Sequence, residues 1–450
     1  MRYEHCLLFL AMALSVCGAE PRGGPAGIFR TDVPAEPYTL IPGRPTQSSV
    51  AVSVLAASDM EGFITYGIAG GPRTNRTETF RLQAGSPQVI PLGGLLADAG
   101  YRYAFNHRSA SSNVFQTGAD CFFHTQRPPG AVFTFTVTAD SHLDENTDLA
   151  VYTQTLRNAA GDRPDFHIDL GDTFMTDKRR DRPQDAFPQY LAQRHYLGLL
   201  CQAAPLFLVL GNHDGETGGS LEAAGRMRAG LFPNPAPDTF YTGSTNGNYY
   251  AWRWGDALFV VLDPFRYSVR HARGGEGGGW NFTLGRQQYD WLQATLEQNT
   301  ARFKFVFTHH LVGGLDRQGR GGAEAVRFFE WGGCDPDGRE AFAGQRPGWP
   351  MPIHTLLLKH GVNAVFHGHD HFYARQEADG IVYQLVPQSG HPGDGSIGRA
   401  REYGYAAGGQ LPGTGYLRVT VSDTKADVAF VRTGAGAPVV ATYTITATRR

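Results

Sequence analysis

Five short runs carry side chains able to bind metal ions: Asp140-Ser141-His142, Gly171-Asp172, Gly211-Asn212-His213-Asp214, Thr308-His309-His310 and His367-Gly368-His369-Asp370-His371. Carboxylate oxygen, imidazole nitrogen and amide oxygen form a mixed N/O donor set, which suits Mn, Fe, Zn or Co in octahedral or five-coordinate sites. A two-metal centre holds its ions roughly 3.5–4 Å apart and needs a carboxylate able to bridge them. Any single run is a weak signal, since an Asp-x-His triplet arises by chance about once in a few hundred residues. Five in order, each closing an apolar strand, make chance a poor explanation.

The elements that must position these runs are legible as well. From Ala131 onward, strands alternate with helical stretches, the signature of a layered α/β domain. Strands are expected at 132–137, 166–170, 206–210, 303–307 and 364–366, each ending where a polar run begins. Ligands of α/β sheets sit beyond the carboxyl ends of strands, so the five runs are expected to converge on one rim. Residues 285–296 place Tyr289, Leu292 and Leu296 at helical spacing, which predicts a helix packed on the sheet. Residues 353–360 also have a helical pattern, and 416–421 with 426–431 predict a hairpin closing the sheet. Upstream, residues 36–126 show short β-like runs separated by turns, at 49–57, 62–69, 77–82, 88–92, 101–107 and 121–126, which indicates an all-β sandwich. Gln126-Arg127-Pro128-Pro129-Gly130 then forms a stiff linker to the second domain, 131–450.

The D-x-H, G-D, G-N-H-D, H and G-H-x-H runs together resemble the calcineurin-like metallophosphoesterases. The His369-Asp370-His371-Phe372-Tyr373 tail and the preceding β-sandwich are most similar to the purple acid phosphatase branch, and residues 95–105 resemble a fibronectin type III strand and turn. The resemblance implies a sandwich of two β-sheets flanked by helices, and two divalent transition metal ions. It implies that Asp140, His142, Asp172 and His371 hold one metal, and that Asp172, Asn212, His309 and His369 hold the other, with Asp172 bridging. The implied reaction is hydrolysis of a small phosphomonoester or phosphodiester by a metal-bound hydroxide. His213, oriented by Asp214, is the expected donor of a proton to the leaving oxygen. His309 is favoured over His310 as ligand because it directly ends its strand, which leaves His310 as a second-layer or phosphate contact. His391, Arg317, Arg320, Trp331 and Tyr373 are candidate substrate contacts, whereas His167 and His367 read as packed strand residues. One departure stands out: purple acid phosphatases carry a tyrosine ligand three residues after the bridging aspartate and lack the D-x-H histidine. Here that position is Met175 and His142 is present, so an iron–tyrosinate colour is not expected.

The chain as a whole narrows the reading further. Its 450 residues are 41% hydrophobic and 18% charged, too apolar for disorder and long enough for two or three domains. Forty Lys and Arg against 42 Asp and Glu leave a formal charge of -2, which argues against nucleic acid as the main partner. The apolar run from Cys6 to Cys17 is shorter than the roughly 20 residues a membrane span needs. With Ala19 as a small residue for cleavage it reads as a secretory signal peptide, 1–19, so the protein is expected to be secreted or periplasmic. A lipid anchor at Cys17 is the weaker alternative, because Val16 is a poor neighbour for lipidation. No other run approaches membrane-spanning length. Cys121, Cys201 and Cys334 remain after the leader, an odd and widely spaced set that makes no disulfide framework. Beside the phosphoesterase stand a catalytically silent metal-binding or adhesion protein on the same scaffold, and a nucleotidase or phospholipid diesterase.

Overall fold

A computed structural model describes residues 28–179, 182–216, 222–269, 278–315 and 318–447. The expected leader, residues 1–19, and Arg317 lie outside them. Two mixed sheets face each other after residue 131. The first has six strands in the order Leu206–Leu208, Phe166–Asp169, Phe133–Thr138, Gly415–Val421, Lys425–Arg432 and Val439–Thr446; the first three run parallel. The second has eight strands, with Ala257–Val261, Phe303–Phe307, Ala364–His367 and Ile381–Leu385 as its parallel centre.

The alternation in Phe303-Lys304-Phe305-Val306-Phe307 explains why this sheet is covered on both faces. Phe303, Phe305 and Phe307 point inward and meet Phe135, Phe166, Phe259 and Phe366 from both sheets in one fully buried aromatic core. Val306 points outward into a second apolar layer with Tyr289, Leu292 and Leu296 of the helix Gly285–Glu297. The side-chain period of two in a strand sends successive residues to opposite layers. The five expected strands are therefore shared between two sheets rather than gathered in one. The hairpin at 415–432 extends the first sheet, and the further strand Val439–Thr446 forms its edge. Among the described residues, no helix is long and apolar enough to cross a membrane.

The N-terminal region is all β. One sheet pairs Tyr38–Gly43, Val50–Ala56 and Gln88–Leu92; the other is built around Met60–Ile68 and Gly100–Ser109. Val52, Val54, Ile64, Tyr103, Phe105 and Phe123 fill the space between them. The linker is not a loose spacer, because Gln126 donates to the Arg253 carbonyl and Arg127 pairs with Asp165 at 2.6 Å. Arg194, fully buried in the helix Phe187–Cys201, fastens the two regions by donating to Thr39 Oγ1, Thr39 O, Ser53 Oγ, Ser53 O and Leu231 O. Arg194→Met is expected to lower unfolding free energy by about 3 kcal/mol, because several buried carbonyls lose their donor. A denaturant titration reads this directly. All three cysteines in the described residues are free.

Candidate metal centre

The five polar runs leave the carboxyl ends of strands in both sheets and meet at one rim. Close backbone crossings bring them together. A methyl group on Gly171 would lie 2.2 Å from Gly211 N, and one on Gly211 would lie 2.0 Å from Asp172 N, so the G-D and G-N-H-D turns pass each other only as glycines. Gly368 has the same role against Asp140, whose Oδ2 would stand 2.8 Å from an added Cβ. His369 N donates to both Asp140 oxygens, at 3.2 and 2.9 Å.

The backbone of the centre is strained where the donors sit. Asp140, His142, Asp172, His369 and His371 all have positive φ, between 51° and 78°. Non-glycine residues seldom adopt this region, and such strain concentrates where surrounding contacts over-determine a functional geometry. Helix Phe187–Cys201 supplies some of those contacts: Gln189 donates to the His142 carbonyl at 2.6 Å, and Gln193 to Ser141 Oγ and the Thr173 carbonyl, both at 2.8 Å.

Three groups of donors among the described residues lie close enough to share an ion: Asp140 with His142 and His371, Asp172 with His309 and His369, and, beside the first and sharing His142 with it, His142 with Asp144 and His391; the first two face the two carboxylates of the centre. Asp172 Oδ2 stands between them, 3.2 Å from His309 Nε2, 3.6 Å from His142 Nε2 and 3.9 Å from His213 Nε2. Asp140 Oδ1 is 3.5 Å from His371 Nε2 and 3.8 Å from His309 Nε2. His142 Nε2, His309 Nε2 and Asn212 Oδ1 are buried without a hydrogen-bond partner. Buried polar atoms are nearly always satisfied, so two open imidazole nitrogens beside two buried carboxylates, with the Asn212 oxygen also left open, fit a cation. His309 Nδ1 lies 2.8 Å from the Leu170 carbonyl, which fixes its proton there and turns Nε2 toward the centre.

The electrostatics match. Burial pushes Asp172 up, but the positive charges of His309 and His213 and the contacts from His142 and His309 outweigh it and hold the carboxyl well below the usual range. Burial pushes His309 down, and Asp172 and Asp140 reverse this to about 9. Without metal the carboxylates hold protons on the imidazoles; a bound cation would take the place of those protons, since a ligating nitrogen must be deprotonated.

Several expected residues sit elsewhere than anticipated. Asp214 does not touch His213: its two oxygens accept from the backbone N–H groups of Gly211, Asp172, Thr173 and Phe174, at 2.7 to 3.1 Å. It ties the two glycine turns together. The partner of His213 is Asp177, whose Oδ2 is 2.9 Å from His213 Nδ1. Tyr373 is 3% exposed and stacked on Phe430, so it belongs to the core and not to a substrate surface. Trp331 is likewise buried, donating to the Tyr383 hydroxyl. Arg320 directs its guanidinium to Asp370, which also accepts from Gly321 N and Tyr405; this braces the G-H-D-H turn. His310 is 1% exposed, packed edge-on against Phe265 and Phe282 and tilted against the ring of His369, so it lies behind the centre and not on a substrate face. His391 does reach the rim, edge-on to His142 with ring centres 5.3 Å apart. His167 bridges Thr136 and Thr138 inside the sheet, and burial pushes it down to about 3. His367 is a packed strand residue, as its pattern suggests.

Asp177 and Asp144 were not singled out by sequence. Each is an isolated carboxylate a few residues beyond a recognised run, and the one available signal was that proximity. The calcineurin-like phosphoesterase model matches residues 133–373, which contain all five runs. The chain belongs to the calcineurin-like phosphoesterase family. Two solved structures share the fold over most of the chain. PhoD aligns with a TM-score of 0.65 at 14% identity, covering 90% of this chain and 89% of its own. The purple acid phosphatase PPD1 from yellow lupin (Lupinus luteus) seeds aligns at 0.61 and 14% identity, covering 91% and 74%. No curated protein matches the sequence. As a member of this family the chain is a phosphoesterase, and the Asp and His groups of its rim are placed to hold divalent metal.

Proposed function

We propose that the protein is a dinuclear metal-dependent hydrolase of small phosphate esters, with Asp140, His142, Asp172 and His371 around one ion and Asp172, Asn212, His309 and His369 around the other. One observation carries this reading: His142 Nε2 and His309 Nε2 flank the same Asp172 oxygen from opposite donor sets, and neither has a hydrogen-bond partner. Bound metal ions would supply charge neutralisation of the ester oxygens and an activated water. The chain's own residues do the rest. His213 is partly exposed, with Nε2 toward Asp172 and Nδ1 on Asp177. Asp177 holds the Nδ1 proton and stabilises the charged ring, so that Nε2 delivers its proton to the leaving oxygen.

The test is hydrolysis of p-nitrophenyl phosphate and its bis-ester with Mn, Zn or Fe added to the purified protein. Turnover of either ester is the expected result; metal uptake with no turnover of both would favour the silent binding protein. Met175, buried at 4% exposure, replaces the tyrosine ligand of the purple enzymes, and it offers only a thioether. The metal-loaded protein should therefore show no charge-transfer band in the region of about 500–600 nm, and an absorption spectrum decides the point. The leader reading of residues 1–19 adds that the enzyme works in a secreted or periplasmic setting.

A further inference from the structure

The imidazoles facing the two donor sets are oriented by different groups. His309 is held by a backbone carbonyl, whereas His142 Nδ1 faces a carboxylate, Asp144 Oδ2, at 3.5 Å. Asp144 is itself fixed. Its Oδ1 accepts from Asn146 N at 2.9 Å and lies 3.1 Å from His391 Nε2. The loop that folds Asp144 back under His142 is bent by two successive non-glycine residues in the left-handed region, His142 at 51° and Leu143 at 52°. It is pinned from outside as well, because Arg30 N donates to the Leu143 carbonyl at 2.7 Å and Phe29 bridges Asp144. The loop bearing His391 docks beside it, with Asp148 N donating to the Gly390 carbonyl at 3.0 Å and Thr414 Oγ1 donating to the His391 carbonyl. Two distant segments and a strained turn thus converge on one carboxylate that has no place among the recognised runs.

We infer that Asp144, clasped by His391, is the positioning residue of the His142 metal site. This rests on the reading of His142 as a ligand, and it assigns no catalytic contact to either residue. The physical logic is tautomeric. An anionic acceptor beside Nδ1 keeps the ring proton there, leaves the Nε2 lone pair for a metal, and raises the basicity of that lone pair. Asn146 N and Thr147 Oγ1 hold the other oxygen of Asp144, and the His391 ring, 3.1 Å away without a hydrogen bond, packs against that oxygen and limits its rotation. The centre is consequently asymmetric, with a charged orienting group behind one donor set and a neutral carbonyl behind the other.

Asp144→Asn separates this role from folding, because the amide oxygen can still accept from Asn146 N while the amide nitrogen cannot accept from His142. Metal-stripped wild type and variant are titrated with Zn²⁺ by calorimetry. Wild type should bind two equivalents; in the variant one of them weakens by about 10- to 100-fold, the range for loss of an orienting partner, with the other unchanged. Cobalt substitution gives a second readout, a changed visible spectrum for one equivalent only. His391→Ala should weaken the same equivalent by a smaller factor, and it carries the test should Asp144→Asn fail to fold. Unchanged isotherms in both variants would overturn the inference. So would a third equivalent bound by wild type and missing from Asp144→Asn, which would make Asp144 a ligand. Failure of the phosphoesterase reading looks different: wild type would bind both equivalents and hydrolyse no ester, with the variant contrast intact.

Discussion

His213→Ala is expected to reduce kcat by about 10²- to 10⁴-fold, the span contributed by a positioned proton donor, while metal content stays at the wild-type level. The separation is possible because His213 touches the centre in two independent ways. Its backbone N–H donates to Asp172 Oδ1 at 2.8 Å, and alanine keeps that bond. Its ring alone stands toward the reacting side, 3.9 Å from Asp172 Oδ2 and fastened to Asp177. The loss should depend on the leaving group: small for a p-nitrophenolate, which departs readily as an anion, and large for an alkyl alcohol, which needs the proton. Steady-state rates on an aryl and an alkyl phosphate, with metal analysis of the same preparations, give the comparison. An equal loss on both esters, or a parallel loss of metal, would remove the proton-donor role.

Asp172→Asn should have an effect of comparable size, a loss of activity of about 10³-fold or more, exceeding the 10- to 100-fold typical of groups that only orient ligands. Asp172 Oδ2 lies within 3.6 Å of an imidazole from each donor set, closer than Asp140 Oδ1 comes to His309 of the second set, and a neutral amide offers neither its charge nor two equivalent oxygens for bridging. The variant should retain its fold, since asparagine can still accept from His213 N and the Asp214 clasp involves only backbone N–H groups. Metal analysis should show fewer than two equivalents, and circular dichroism an unchanged spectrum.

What the sequence discloses and what it hides divide along physical lines. Strand ends were readable because phenylalanine and valine alternate up to an abrupt polar residue, as in Phe303–Phe307 before Thr308. The donors were readable because their spacing within each run is local. Sheet membership was not, since the run Phe303–Phe307 shows where a strand lies but gives no sign of which strand it will pair with. Asp214 misled for a related reason. It adjoins His213 in sequence, but the tight G-N-H-D turn points its carboxylate back at the backbone of 172–174, and the group that meets the imidazole comes from a different turn, at Asp177. Tyr373 follows the G-H-D-H turn so closely that it reads as a rim residue, yet strand alternation carries it into the core against Phe430. The left-handed backbone at five of the donors suits their residue types, since Asp and His enter that region more often than most side chains, but residue type alone does not single those positions out.

On the dinuclear reading, two metal ions share Asp172 and are both required for ester hydrolysis. Stepwise addition of Mn²⁺ or Zn²⁺ to the chelator-stripped protein, with bound metal and p-nitrophenyl ester hydrolysis measured on the same samples, tests it most directly. Two equivalents should bind per chain, with activity that rises with the second, is abolished by chelation and returns on readdition. Hydrolysis that is complete at one equivalent, or that survives removal of metal, would contradict the dinuclear reading.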